Sequence, residues 1–302
     1  MTETARFTLP SGQQMAYRHL IGTSPTPAPT IVFLPGYMSD MAGGKAQAVL
    51  EWAREQGRGC LLLDYTGCGE SDGDFADGRL SKWRDEIVAL IDHLGIETVQ
   101  LIGSSMGGWL MLLIAESLGD RANALVGIAP APDFTDWGLS QSQRIELAAG
   151  RTIHEENPYG PEPTPTYAAF FSDAEKHKRL RGDIPFDGPV RLIHGQADPD
   201  VPWEVSISLA RALRSADVQV HLIKDGDHRL SRPADIASMR RLRAGRVPHA
   251  RHRPGADDRA AAHARGQGAR HHRHGQAAPP PAADAAAAAA RGRGRARAAA
   301  GA

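Results

Sequence analysis

Three residue types in this chain, at three separated places, would together move an acyl group: Ser105, Asp198 and His228. A serine hydroxyl is hardly ionised at neutral pH. It attacks a carbonyl only when an imidazole takes its proton and a carboxylate holds that imidazole. Ser105 is the centre of Gly103-Ser104-Ser105-Met106-Gly107, a G-x-S-x-G pattern. Glycine and serine are common, so the pattern gains weight only from its surroundings. The apolar run 98–102 before it is short enough for a buried strand, and Trp109–Ala115 after it reads as a buried helix. A tight strand-to-helix turn pushes its serine out at the carboxyl end of a sheet. Gly103 and Gly107 allow the strand and the helix to approach at that turn.

The base and the acid are expected further along, on loops after later strands. The strand Val190–Ile193 runs into His194-Gly195-Gln196-Ala197-Asp198, and Val218–Ile223 runs into Lys224-Asp225-Gly226-Asp227-His228. Serine, acid and histidine thus follow one another, each after a different predicted strand. In this reading His228 takes the proton of Ser105 and returns it to the leaving group, and Asp198 fixes the tautomer of His228. Asp200 is the alternative acid. The oxyanion of the tetrahedral intermediate needs two backbone donors. Met106, next after the nucleophile, supplies one; the loop after Thr30–Leu34 supplies the other, with Tyr37 the best candidate.

Other reactive types carry blander readings. Asp225 and Asp227 read as solvated loop charges, and His194 and His221 as packed or hydrogen-bonded. Asp64 and Ser71 read as braces of their loop. Cys68 has no evident base. His271-His272-Arg273-His274 falls in a low-complexity tail, and zinc-like spacing is absent elsewhere in the sequence. Neither a metal nor another cofactor is expected.

The elements around these residues alternate. Strands are predicted at 5–9, 15–21, 30–34, 60–65, 98–102, 124–129, 189–193 and 218–223. Helices are predicted at 45–55, 80–94, 109–115, 203–215 and from 234 to about 242. Continuous apolar strands alternating with helices imply βαβ units and a mostly parallel central sheet covered by helices on both faces. Residues 134–186 break the rhythm. They hold one helical stretch and then a segment rich in proline and aromatics, and they read as a small cap insertion whose Tyr159, Tyr167, Phe170 and Phe171 either line an acyl pocket or pack the cap.

The chain has 302 residues and no net charge, but the balance is uneven. Residues 240–302 carry 14 Arg and 3 Asp, whereas residues 1–239 have 32 acidic and 21 basic side chains. The acidic part argues against nucleic acid as a partner of the globular domain. After about residue 243 the composition falls to Ala, Arg, Gly, His, Pro, Asp and Gln with a single Val. Such a segment cannot bury enough apolar surface to offset its ordering entropy. The expected organisation is therefore a domain over 1–243 and a disordered tail over 244–302. The abrupt switch inside a predicted helix points to out-of-frame translation of a GC-rich gene, which the other two reading frames of the coding DNA would test; the functional alternative for the tail is a basic nucleic-acid arm. Two cysteines, no signal-peptide pattern and no membrane-length apolar run make a cytoplasmic protein the expectation.

Several stretches taken together carry a resemblance. They are Leu34-Pro35-Gly36-Tyr37-Met38-Ser39-Asp40-Met41, Asp64-Tyr65-Thr66-Gly67-Cys68-Gly69-Glu70-Ser71, Gly103–Trp109, His194–Asp198 with Val201-Pro202-Trp203, and Asp227-His228-Arg229. On these, residues of about 5–240 resemble serine α/β hydrolases. They are most similar to the family of alpha/beta-hydrolase domain-containing protein ten and its bacterial relatives. The resemblance implies the α/β-hydrolase fold. It also implies hydrolysis of S-palmitoyl-cysteine thioesters and acyl glucuronides by a serine, an aspartate and a histidine, which correspond here to Ser105, Asp198 and His228. The expected partner is an ester or thioester substrate, either a small molecule or an acylated protein. A second reading is a non-catalytic scaffold of the same fold that binds a small ligand or partner; labelling with a fluorophosphonate separates the two.

Overall fold

A computed structural model of the protein describes residues 2–158 and 160–241. The expected tail at 244–302, the residue Tyr159 and the end of the last predicted helix lie outside the described residues. In chain order the strands are β1 (Ala5–Thr8), β2 (Gln14–Leu20), β3 (Thr30–Leu34), β4 (Cys60–Leu63), β5 (Val99–Ser104), β6 (Ala122–Ile128), β7 (Ile153–Glu155), β8 (Thr164–Thr166), β9 (Val190–Gly195) and β10 (Val218–Ile223). The helices are α1 (Gly44–Glu55), α2 (Leu80–His93), α3 (Met106–Leu118), α4 (Phe134–Trp137), α5 (Gln141–Ala148), α6 (Ala168–Ala174), α7 (Glu204–Ala212) and α8 (Pro233–Arg241).

Eight strands form one sheet in the order β1-β2-β4-β3-β5-β6-β9-β10. The β1–β2 and β2–β4 pairs are antiparallel, and every pair from β4 to β10 is parallel. Side chains alternate across a strand, and here both sets are apolar. Val32, Leu34, Leu61, Leu63, Leu101 and Leu125 join one core, with Trp83 and Leu90 of α2 and most of α3. Ile31, Phe33, Cys60, Leu62, Ile102 and Val126 join the other, with Ala46, Leu50 and Ala53 of α1. This doubly covered sheet explains why the strands read as continuous apolar runs rather than as alternating ones. Each large side chain buried this way contributes about 1.5–3 kcal/mol. The edge strands β1 and β10 are the exceptions, with intermediate and exposed residues throughout.

Because β3, β5, β9 and β10 run parallel, their carboxyl ends lie along one edge of the sheet. The loops after these four strands carry Tyr37, Ser105, Asp198 and His228 in turn. Ligands of open parallel sheets bind outside that edge.

Between β6 and β9 the chain adds α4, α5, the two-stranded β7–β8 hairpin and α6. The capping box of α5, formed by Ser140 and Gln143, fixes where that helix begins. The sequence predicts a single helix over 139–149. The structure has that helix as α5, and adds the short α4 before it and α6 after the hairpin.

Candidate active site

The turn at Ser105 is as tight as the sequence implies. Ser105 has φ 54° and ψ −121°, a conformation that costs a non-glycine residue about 1–3 kcal/mol. A Cβ on Gly103 would sit 2.3 Å from the carbonyl oxygen of Gly107, and a Cβ on Gly107 would sit 2.1 Å from that of Leu34. Only hydrogen fits at either place. The serine backbone is held in return: its N–H donates to Ile128 O at 3.0 Å, and its carbonyl accepts from Ala131 N at 3.0 Å.

The structure brings the three predicted side chains into one chain of contacts. Ser105 Oγ lies 3.1 Å from His228 Nε2, and His228 Nδ1 lies 2.9 Å from Asp198 Oδ2. The loops that carry the acid and the base are stitched together below these atoms. Gln196 N–H donates to Ile223 O and Ala197 N–H to Gly226 O. A Cβ on Gly195 would meet Gly226 O at 2.1 Å. Past the histidine, Leu230 is fully buried and anchors the loop.

The Asp198 carboxylate is entirely shielded from solvent. Burial alone would raise its pKa, but hydrogen bonds from His194, His228 and Val201 N–H outweigh that and hold it well below the usual carboxylate range. Asp198 Oδ1 accepts from the N–H groups of Asp200 and Val201, both at 2.9 Å. Asp198 is therefore the carboxylate bonded to His228; Asp200 supplies it with a backbone donor and stands nearby, with its own carboxylate within 4.8 Å.

Met106 follows Ser105 in the chain, and Tyr37 lines the same cavity. Gly36 is so close that a Cβ there would be 3.3 Å from Ser105 Cβ. Two side chains just past β4 clamp this loop. Tyr65 donates its hydroxyl to Pro35 O at 2.9 Å, and Asp64 accepts from Met41 N–H at 2.6 Å and Glu70 N–H at 2.8 Å. Asp64 is thus a brace, as its sequence context suggests. Ser71 is one too, donating to Asp64 O and accepting from Ala16 N–H.

A cavity of about 680 Å³ opens over Ser105, within the range of small-molecule sites. Met38, Phe134, Trp137 and Leu139 give it an apolar wall. Asp40, Lys45, Glu155, Glu156 and Arg229 bring charge to it. Phe134 and Trp137 escape the sequence reading, which favours the aromatics further along. Those have other work: Phe170 packs in the core against Tyr37, Trp83 and Phe134, while Phe171 packs with Leu139 and Leu147. Tyr167 packs beside Phe75.

The sequence model of the alpha/beta hydrolase family matches residues 31–264. The chain belongs to that family. Among its relatives, the human palmitoyl-protein thioesterase ABHD10, mitochondrial, is 37% identical over 236 residues, which cover 75% of this chain and 74% of the relative. The solved structure of mouse alpha/beta hydrolase domain-containing protein 10 superposes with a TM-score of 0.72 at 35% identity, over 79% of this chain and 95% of that one. A crystal structure from Agrobacterium vitis S4 gives a TM-score of 0.74 at 38% identity, over 80% of this chain and 97% of that one.

In this alpha/beta hydrolase Cys68 is no competitor to Ser105. Burial, reinforced by the charges of Asp64, Asp40 and Glu86, pushes its thiol up to about 12. His221 is exposed on β10 rather than packed, whereas His194 is fully buried and hydrogen-bonded. Asp198, Asp200 and His228 present ligand atoms within 4.8 Å of one another. Two of the three already bond each other, so their lone pairs and protons are committed. Among the described residues no helix is long and apolar enough to cross a membrane.

Proposed function

We propose that this alpha/beta hydrolase cleaves acyl thioesters and carboxylic esters through an acyl-enzyme on Ser105. His228 removes the Ser105 proton as Oγ bonds to the acyl carbon. The C–S or C–O bond to the leaving group then breaks, and His228 Nε2 returns the proton to the departing sulfur or oxygen. Water, deprotonated by the same nitrogen, releases the acid and restores the serine. The backbone N–H groups of Tyr37 and Met106 receive the oxyanion in both halves. Asp198, kept ionised, steadies the imidazolium.

The observation that carries this reading is the unbroken contact from Ser105 Oγ through His228 to Asp198 Oδ2, at 3.1 and 2.9 Å, set at the floor of the cavity. The substrate reading rests on the relatives named palmitoyl-protein thioesterase and on the apolar wall of Met38, Phe134, Trp137 and Leu139. An acyl chain lies along that wall, and the leaving group, from an acylated protein or a small molecule, sits at the charged side. The two cysteines are free and buried, which suits a reducing compartment such as the cytoplasm.

The test is a panel of acyl thioesters and oxyesters of graded chain length, assayed beside Ser105→Ala. Hydrolysis that rises with chain length and vanishes in the variant is expected. Equal fluorophosphonate labelling of wild type and Ser105→Ala refutes the reading.

A further inference from the structure

One buried histidine touches the same oxygen of Asp198 as His228 does. His194, the penultimate residue of β9, is fully buried, and its Nε2 lies 3.2 Å from Asp198 Oδ2 and 3.0 Å from Val201 O. Both neighbours are acceptors, so Nε2 must carry the proton. In the neutral ring Nδ1 is then an acceptor, and it lies 2.7 Å from the hydroxyl of Ser206, a fully buried residue on α7. The serine hydroxyl, as donor, selects the tautomer that the acid needs. Asp198 Oδ2 thus accepts from His228 Nδ1–H and lies against His194 Nε2, whose single N–H it shares with Val201 O, while Oδ1 is occupied by two backbone amides.

We propose that His194, keyed by Ser206, is a positioning residue that aims Asp198 at His228 and weakens that carboxylate as a proton acceptor. This rests on the ester-hydrolase reading of Ser105, Asp198 and His228. The proton that leaves Ser105 stops on His228 Nε2, and the Nδ1 proton stays on its nitrogen, because Asp198 is already saturated with donors. The chargeable groups that face the carboxylate, among the described residues, are His194 on β9, His228 after β10, Asp200 on its own loop and Lys45 on α1. Lys45 donates to Arg229 O at 2.7 Å, so its charge is held near the base rather than on the acid. Arg229 and Asp227 adjoin Lys45 from the histidine loop. Of these, only the His194 and His228 rings bring a side-chain N–H against Asp198.

The experiment compares kcat and KM across pH for wild type, His194→Phe, His194→Gln and Ser206→Ala, beside Ser105→Ala. Phenylalanine keeps a planar ring, slightly larger, and loses the donor; glutamine keeps an N–H near the Nε2 position. His194→Phe should lower kcat about tenfold to hundredfold, the effect of one hydrogen bond to an ionised group. KM should stay within about twofold. With one donor gone, Asp198 draws the imidazolium more strongly, so the acid limb of kcat/KM should move to higher pH by about half a unit or more. His194→Gln should restore most of the rate, and Ser206→Ala should fall between. A lowered kcat with an unmoved acid limb, or a limb moved to lower pH, overturns the inference. In the unmutated protein, ¹⁵N NMR of labelled histidine should find His194 as the Nε2–H tautomer whether or not any variant folds; the Nδ1–H tautomer overturns it. If wild type is no more active than Ser105→Ala, the hydrolase reading fails and this inference falls with it. If wild type is active and His194→Phe leaves the profile unchanged, only this inference fails.

Discussion

Tyr37→Phe removes one oxygen from the place where the loop after β3 meets the β7–β8 hairpin. The Tyr37 hydroxyl donates to Pro165 O at 2.9 Å, and Pro165 is buried in β8. Burial pushes the phenol well above its ordinary range, so it remains a donor at any working pH. The ring itself packs against Phe75, Phe170 and Phe134, with centroids 4.8, 5.3 and 6.1 Å away. Phenylalanine keeps those contacts, so the substitution isolates the hydrogen bond. It strips the hydroxyl donor from a buried carbonyl, which costs about 1–3 kcal/mol. For a domain of this size each kcal/mol lowers Tm by about 2–4 °C, so a fall of about 2–12 °C is expected. The rate responds less. The N–H of residue 37 is still present, so kcat should drop by about three- to tenfold rather than the 10²–10³-fold of a lost oxyanion donor. Thermal melts and short-chain ester kinetics measure both quantities. Tyr37→Ala serves as the scale, since emptying the aromatic cluster costs about 3–5 kcal/mol. A Tm within about 1 °C of wild type together with an unchanged kcat refutes the coupling of the loop to the hairpin.

Three further outcomes follow from the same geometry. Ser105→Gly should abolish hydrolysis, by about four orders of magnitude or more, yet be about 1 kcal/mol more stable than Ser105→Ala, because glycine accepts φ 54° without strain; melting the two variants side by side decides it. Gly107→Ala should lose about 3 kcal/mol or more, since its Cβ would meet Leu34 O at 2.1 Å, whereas Gly44→Ala, with nothing within 4 Å, should gain about 0.4–1 kcal/mol; denaturant unfolding reads both. Asp198 has a depressed folded pKa, so its ionised form stabilises the fold above the unfolded value of about 3.9, and that stability is lost as pH falls below it; the destabilisation of Asp198→Asn should therefore be full at pH 7 and shrink in melts below about pH 4.

Much of the site was legible because it is written in short stretches at strand ends. Ser105 shows itself through flanking glycines and apolar runs, and Asp198 and His228 through their places after two recognisable strands. The doubly covered sheet was equally plain, since a strand buried on both faces has an unmistakable composition. The cap was not. Strands of three residues, such as β7 and β8, are shorter than any period that could reveal them. Which aromatics face the cavity depends on how the hairpin folds back, so Phe134 and Trp137 gave no signal that Phe170 did not also give. The sequence reads His194 as packed or hydrogen-bonded, and it is both. That its partner is Asp198, four residues on, depends on the loop turning back at Gly195, and Ser206 comes from a separate helix.

The two ends of the proton path belong to parts of the molecule with different resistance to opening. Ser105 begins α3, every residue of which is buried except Glu116 and Ser117. His228 hangs from the loop after β10, a strand with a single neighbour in the sheet and Leu222 on its surface 37% exposed. Partial opening starts where buried apolar contact is sparse. Fraying of the β10 rim therefore withdraws His228, the base of the proposed reaction, while Ser105 and the core stay in place. Turnover thus monitors the rim of this sheet, and core spectroscopy monitors its axis.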